Sequence, residues 1–110
     1  MNIVILSNTE TDIAIGISFY EAQNQGLGKY FLDSILSDIE SLHIYVGIHI
    51  IISDYYRLLS KRFPFSIYYK IKDKTIYIYA VLDCRKNPAW ISERLLWIYY
   101  LNIKWNYIPC

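Results

Sequence analysis

The fold is decided by residues 65–83, which read FSIYYKIKDKTIYIYAVLD. From Phe65 to Ile71 every second residue is apolar, and Ser, Tyr and Lys stand between them. This period of two predicts a strand that is buried on one face only. Residues 75–83 are apolar on both faces and predict a central strand. Asp73-Lys74 between the two segments predicts the tip of a hairpin.

A third strand is predicted immediately before this hairpin. The period of two begins at residue 55 and places Arg57, Leu59 and Lys61 on one side of the strand. Pro64 follows at a turn or a strand edge, because proline has no backbone N–H to donate to a ladder. Short connections join antiparallel neighbours, so we expect the three strands to form an antiparallel meander.

The first residues of the chain predict a strand and the start of a helix. Residues 2–6 form a short apolar run, which is typical of a strand buried on both faces. The next four residues, SNTE, have the spacing of a capping box, in which the Ser7 hydroxyl accepts the backbone N–H of Glu10. A helix is therefore expected to begin at this point.

Two helices are expected between residues 7 and 42. The apolar face of the first consists of Ile13, Ile17 and Tyr20. Gly26 is suited to a left-handed cap at its end. The second helix covers residues 27–42 and has the apolar stripe Phe31, Leu32, Ile35, Ile39 and Leu42. Its charged residues are expected to stay exposed: Lys29, Asp33, Asp38 and Glu40. The short connection predicts an antiparallel helix hairpin.

These segments predict an α+β fold with the order β-α-α-β-β-β, in which the helix hairpin covers one face of a small, mainly antiparallel sheet. Residues 43–54 are interpreted as a loop with at most a short extended piece. Asn87-Pro88 ends the last strand, and Pro88 favours the first turn of a short helix through residues 92–94.

The size and the charge pattern indicate one domain with a charged partner. A chain of 110 residues has room for one domain, and 55% hydrophobic residues exclude a disordered or collagen-like protein. The net charge is only +1, but residues 1–40 hold six acidic residues against one lysine. Residues 55–110 hold ten lysines and arginines against three acidic residues. Such asymmetry indicates a charged binding partner.

The sequence predicts a cytoplasmic protein with no membrane partner. Cys84 and Cys110 are interpreted as free thiols of a reducing compartment. The apolar run at residues 3–6 is too short for a signal peptide. The longest uncharged stretch, residues 41–53, is shorter than the ~20 residues of a spanning helix.

Three stretches resemble the RelE/ParE toxins of type II toxin–antitoxin systems. Residues 19–32 are similar to the helix hairpin of that family, residues 57–69 to its second and third strands, and residues 81–88 to the end of its last strand. The resemblance covers about residues 2–94, so residues 1–95 are interpreted as the toxin domain and residues 96–110 as an apolar tail of the same domain. It implies a small toxin that a cognate antitoxin wraps and neutralises, and an oligomer only with that antitoxin.

The resemblance implies two alternative activities. RelE-like members cut mRNA in the ribosomal A site, whereas ParE-like members inhibit DNA gyrase and have no known hydrolytic site. The stretch Arg62-Phe63-Pro64-Phe65 is closer to ParE, and growth inhibition and plasmid stabilisation belong to that branch. The lysine-rich second strand of RelE is reduced here to Arg57 and Lys61. The third alternative is an inactive member of the family that serves only as a binding partner.

Six residues are candidates for the functional site. If the protein is an enzyme, it is an mRNA endoribonuclease without metal or cofactor, and Arg57, Lys61 and Arg85 are its candidate catalytic residues. Basic groups there would offset the phosphate charge. The alternative is that they are solvated charges at strand edges. Candidates for binding the target or nucleic acid are Arg62, Lys86 and Trp90.

Other polar residues are interpreted more simply. Asp83 could orient Arg85 or act as a base, but the favoured reading is an ion pair with a nearby lysine. His43 and His49 have no Cys or acid at ligand spacing and do not predict a metal site. The three tyrosines of adjacent strands are expected to pack across the sheet, the alternative being base stacking: Tyr68, Tyr77 and Tyr79.

The tail has its own pattern. Within residues 101–107 apolar residues alternate with Asn102, Lys104 and Asn106, which is the period of a strand. We expect the tail to add a strand to the edge of the sheet or to fill the groove of the antitoxin.

Overall fold

In a computed structural model, which describes residues 1–96, the predicted α+β fold is confirmed. The elements are β1 (Asn2–Ile5), α1 (Ser7–Gln23), α2 (Leu27–Glu40), α3 (Leu42–Tyr45), β2 (Ile50–Ile52), β3 (Tyr55–Leu59), β4 (Phe65–Lys72), β5 (Thr75–Asp83) and α4, at residues 88–96. The strands form one sheet in the order β1-β5-β4-β3-β2. β1 runs parallel to β5, and every other pair is antiparallel.

The predicted meander is confirmed as β3, β4 and β5. Lys72 lies opposite Thr75, and the two residues between them have positive φ angles of 50° and 60°. Two consecutive left-handed residues give the turn whose twist matches a right-handed hairpin. This turn fixes the register in which residues 69–72 of β4 pair with residues 75–78 of β5.

Residues 43–54 hold the short extended piece, as β2, and in addition part of a helix. They contain most of α3 and the whole of β2, whose residues Ile50 and Ile52 lie opposite Arg57 and Tyr55. A second two-residue turn with positive φ angles, Ser53-Asp54, joins β2 to β3. β2 has three residues, which are too few to show a period, and its turn lacks the glycine that signals a hairpin.

Glycines hold the helix hairpin together at two places: where the helices pack and where they are connected. A Cβ atom at Gly16 of α1 would lie 2.5 Å from the Phe31 ring of α2, so the close approach of the two helices requires glycine. The Glu21 carboxylate accepts the backbone N–H groups of Gly26 and Gly28 at 3.1 and 3.0 Å. Gly26 has a φ of 87°, as its predicted left-handed conformation requires, and stands before the first residue of α2.

The start of α1 is predicted correctly, but the capping box is wrong. Leu6 occupies the cap position, and its carbonyl oxygen accepts the N–H groups of Thr9 and Glu10 at 2.9 and 3.0 Å. Ser7 is the first helical residue and makes no capping hydrogen bond. The Thr9 hydroxyl is buried and donates to the carbonyl of Ile78 at 2.6 Å, which ties α1 to β5.

Two expectations about burial near the helices are also wrong. β1 is not buried on both faces, because it lies at an edge of the sheet and its residues are exposed or half-buried. Asp38 does not face solvent with the other charges of α2: it is 4% exposed and accepts the Ser60 hydroxyl at 2.6 Å. This hydrogen bond replaces the water that a buried carboxylate loses.

The sheet has a hydrophobic layer on each face. The larger layer lies between the sheet and the helix hairpin and includes Phe31, Ile35 and Ile67. The smaller layer lies on the opposite face, under α4: Tyr55, Tyr68, Ala80, Leu82 and Leu95. Because both faces are covered, β4 is buried from Phe65 to Tyr69, and the prediction of a half-buried strand is wrong.

A β-bulge changes which residues of β5 face each layer. Tyr68 lies opposite Ala80 and Tyr69 opposite Ile78, so Tyr79 is an extra residue on β5. Before the bulge Ile78 faces the hairpin, and after it Ala80 faces α4. Tyr79 packs against the Tyr55 ring, with centroids 5.4 Å apart. This contact reaches across β4, because β3 and β5 are not adjacent in the sheet.

The short helix predicted after Pro88 is present as α4. The Asn87 side chain accepts the N–H of Ala89 at 2.8 Å and so caps its start. The strand predicted in the tail falls outside the described residues and stays a prediction. No helix in residues 1–96 is both long and apolar enough to cross a membrane.

Candidate functional site

Two loops meet at one end of the sheet. The β3–β4 loop, residues 60–64, lies beside the segment that follows β5, because the Cys84 N–H donates to the carbonyl of Pro64 at 2.8 Å. Four candidate residues stand on these segments, and all are exposed: Lys61, Arg62, Arg85 and Lys86. The structure therefore gathers four of the six predicted site residues at one end of the sheet.

Arg57 lies apart from this group. β3 ends at Leu59, and the Ser60 N–H donates to the carbonyl of Phe65 at 2.9 Å as the chain turns. Lys61 therefore stands in the loop, and the prediction that it shares a strand face with Arg57 is wrong. Arg57 lies opposite Tyr68, and its buried Nε has no hydrogen-bond partner within residues 1–96.

Tyr68 does not supply a catalytic base at this position. Burial raises the pKa of its hydroxyl, and the hydrogen bond with Ser66 and the charge of Arg57 lower it only in part. The ring is 3% exposed and belongs to the layer under α4. A neutral, covered phenol cannot stack on a base or take a proton from a ribose hydroxyl at neutral pH.

Arg85 is paired with the end of β5. Its Nε and Nη2 donate to the two carboxylate oxygens of Asp83 at 3.0 and 2.8 Å, and its backbone N–H donates to the same carboxylate at 2.8 Å. The interpretation of Asp83 as the partner of a lysine is wrong, because arginine binds both carboxylate oxygens at once. These hydrogen bonds hold the pKa of Asp83 below its ordinary value.

Beside this end of the sheet, α1, α4 and the last residues of β5 enclose a cleft of about 450 Å³. Its walls carry three large apolar side chains that are 42–65% exposed: Ile15, Phe19 and Trp90. Lys86 lines the same cleft, and its Nζ lies 5.5 Å from the centre of the Trp90 ring. The cleft is therefore an apolar surface with a cation at its rim, which suits a protein partner better than a polar substrate.

An ion pair between a buried carboxylate and a half-buried guanidinium also lines the cleft. Arg94 of α4 donates from Nη1 and Nη2 to the two carboxylate oxygens of Asp12 at 2.8 and 3.0 Å. The Val81 N–H donates to the same carboxylate at 3.1 Å. Burial raises the pKa of Asp12, and the hydrogen bonds from Arg94 and Val81 offset part of that rise. The pair joins α1, β5 and α4.

Sequence reasoning missed this pair, although one signal for Asp12 is present. The buried positions of α1 lie on one face of the helix, and Asp12 is one of them: Thr9, Asp12, Ile13, Gly16 and Tyr20. A carboxylate in such a stripe needs a buried partner. Nothing in the sequence indicates that the partner is Arg94, which follows 82 residues later.

Each histidine lies beside one polar side chain. His49 Nδ1 lies 2.6 Å from the Tyr69 hydroxyl, and His43 Nε2 lies 3.4 Å from Glu40. Across residues 1–96, no three His, Cys, Asp or Glu side chains are arranged as metal ligands.

No family model matches the chain, and no curated protein does. Among solved structures, a chain of the chromosomal ParDE toxin–antitoxin (TA) system from P. aeruginosa has a TM-score of 0.61 at 17% sequence identity. The likeness covers 74% of this chain and 92% of that chain. It confirms the fold that the resemblance to the RelE/ParE toxins implies. The protein therefore has the fold of a chain from a ParDE toxin–antitoxin system.

Proposed function

We propose that this protein is the toxin of a type II toxin–antitoxin pair, that it inhibits bacterial growth by binding DNA gyrase, and that a cognate antitoxin neutralises it. Two lines support the proposal: the resemblance of three stretches to the RelE/ParE toxins and the fold shared with a chain of a ParDE system. The residue that each candidate contacts in the structure then helps to decide whether gyrase or mRNA is the target.

One observation favours a binding role over RNA cleavage, namely the pairing of Arg85 with Asp83. Cleavage by the ribose 2′-hydroxyl needs a base, a cation on the phosphate and an acid for the leaving oxygen. The guanidinium of Arg85 already binds a carboxylate where a phosphate would bind. Arg57, the other candidate arginine, lies opposite the covered ring of Tyr68.

The cleft supports a protein as the bound partner. Phe19 and Trp90 offer exposed aromatic area, and aromatic residues carry much of the energy of protein interfaces. Lys86 and Arg62 add exposed positive charge nearby, which favours a partner with acidic side chains. We propose that the antitoxin or gyrase uses this cleft and the adjacent cations.

An mRNA endonuclease is the second candidate function, and one observation favours it. Lys61, Arg62 and Lys86 stand exposed at the same end of the sheet as Arg85. A group of cations is what a phosphate backbone requires. In that case the ribosome would have to position the RNA and supply the base and the acid that the cleavage needs.

The test measures both activities with the purified protein. Gyrase supercoiling is assayed with wild type, Trp90→Ala and a control, Tyr45→Ala, which removes a similarly exposed aromatic ring from a different surface. We expect wild type and Tyr45→Ala to inhibit supercoiling, and Trp90→Ala to inhibit it at least about tenfold less well. Translating ribosomes should show no new mRNA ends.

The other outcomes separate the alternatives. Cuts phased to the ribosomal A site, with gyrase unaffected, would establish the endonuclease and contradict the proposal. Unaffected gyrase, intact mRNA and normal growth during induced expression would identify an inactive member that only binds a partner. A small protein encoded beside this one is the antitoxin to test, and its addition should restore supercoiling.

A further inference from the structure

The edge of the sheet at β2 carries exposed apolar side chains. Three of them, here called the edge patch, are 59–72% exposed: Ile48, Ile50 and Ile51. Among residues 1–96, β2 pairs with β3 on one side only. Exposed apolar area next to a free strand edge is a template for another strand.

β2 lacks the features that protect a free edge. Proteins protect such edges with lysine, proline or a bulge. Residues 41–53 hold no Lys, Arg, Asp, Glu or Pro, and β2 itself is three isoleucines. A strand of this composition is expected to have a partner on its outer side.

The described chain stops beside this edge. Leu95 of α4 is 1% exposed, and its carbonyl accepts the Tyr55 hydroxyl at 3.4 Å. Tyr55 lies in β3, directly opposite Ile52 of β2. The chain therefore continues from Leu96 near β3, the strand next to β2.

The sequence that follows has the composition of a partner strand. Residues 101–107 read LNIKWNY, in which Leu101, Ile103, Trp105 and Tyr107 share one side. Residues 96–100 can span up to about 17 Å in an extended chain. Crossing one layer of about 10 Å and two strand spacings of about 5 Å needs about 14 Å, so the connection is long enough.

We propose that residues 101–107 add to β2 as a sixth strand and cover the edge patch. Because successive strand residues point to opposite faces, their apolar side packs beside the β2 isoleucines of one face, and Asn102, Lys104 and Asn106 lie on the other face. Lys104 is the one charged residue between positions 97 and 110, and on the new edge it provides the protection that β2 lacks. The proposal is independent of the cellular target.

Hydrogen exchange of the full chain tests this pairing. The variant Ile103→Asp/Trp105→Asp places two charges on the apolar side of the segment. The matched control, Asn102→Asp/Asn106→Asp, places two charges on its polar side. We expect the amides of residues 48–53 to exchange at least about tenfold faster in the first variant than in wild type, and at the wild-type rate in the control.

Two exchange results would overturn the proposal. One is equal exchange of residues 48–53 in both variants and wild type. The other is protection that disappears on dilution, because a second copy of the chain would then be the partner of β2.

A cross-link provides a second measurement that does not depend on charged variants. With Cys84 and Cys110 replaced by serine, Ile51→Cys is combined in turn with cysteine at positions 102, 103 and 104. We expect at least one pair to form a disulfide within one molecule. The control is Val4→Cys, which lies on the opposite edge strand and should form none. Cross-linking only between molecules, or equally with Val4→Cys, contradicts the proposal.

Discussion

The Asp12 carboxylate and the Arg94 guanidinium, 82 residues apart, form two hydrogen bonds across the cleft. Asp12 lies on α1, the first helix of the chain, and Arg94 lies on α4, the helix that follows β5. Because the Val81 N–H binds the same carboxylate, the pair fixes α1 and α4 relative to β5. The width of the cleft therefore depends on this pair.

Removing one partner of this pair should destabilise the protein. In Arg94→Met the buried Asp12 carboxylate loses its cation, and we expect the free energy of unfolding in urea to fall by about 3 kcal/mol. Lys29→Met, which breaks the exposed Lys29–Asp33 pair, should change it by less than about 1 kcal/mol. Asp12→Asn/Arg94→Met should cost less than the sum of its single substitutions. Additive costs would contradict the pairing.

Gly16→Ala should destabilise the helix hairpin. The added methyl group would stand 2.5 Å from the Phe31 ring, so α1 or α2 must shift. We expect a loss of about 2 kcal/mol, measured by thermal or urea unfolding. In a Phe31→Leu background the same substitution should cost under about 1 kcal/mol, since the ring has gone. A full cost in both backgrounds would show that the ring is not the obstacle.

His49 should make stability depend on pH. Burial lowers the pKa of His49 below 6.5, so the unfolded chain binds a proton more readily than the folded chain does. The stabilisation is complete above pH 6.5 and is lost as the pH falls through the folded pKa. Unfolding measured from pH 8 to pH 5 should show this loss in wild type and in His43→Asn, but a smaller loss in His49→Asn. Equal profiles would remove His49 as the cause.

Asp83→Asn should increase the affinity of the protein for RNA. The substitution removes the carboxylate that binds Arg85, which adds one available cation to those at this end of the sheet. We expect single-stranded RNA to bind more tightly, with a logarithmic salt dependence steeper by about 0.7. Asp54→Asn removes the same charge from the β2–β3 turn and is the control. An equal change in both variants would assign the effect to net charge alone.

The sequence predicts those parts of the fold whose residues alternate or recur over a long stretch. α1, α2 and the meander have enough residues to show their period, and Asp73-Lys74 marks the turn between two of the strands. β2 has only three residues, and Ser53-Asp54 is not a recognisable turn signal. The burial of β4 on both faces depends on α4, whose Leu95 packs on the sheet from far along the chain.

For the candidate site, it is easier to predict from the sequence which residues take part than which residues they bind. The gathering of Lys61, Arg62, Arg85 and Lys86 follows from the strand order alone. The pairing of Arg85 with Asp83 depends on side-chain geometry after the end of β5. The sequence places both Arg85 and a lysine close to Asp83, so it does not show which of them binds the carboxylate. The exposed walls of the cleft required the placement of α4, which no local pattern provides.

The bulge at Tyr79 makes the length of β5 as important as its composition. One extra residue shifts the alternation of β5 by one step, so that the even-numbered residues before it face the hairpin layer and those after it face the layer under α4. Deleting Tyr79 would only remove the bulge, because Ile78 and Ala80 would then be consecutive residues on opposite faces. Deleting Tyr77 would turn either Ile76 or Ile78 away from the hairpin layer, although no core residue would be changed. Along β5, losing a single residue outside the bulge is therefore a greater change than replacing one apolar side chain by another.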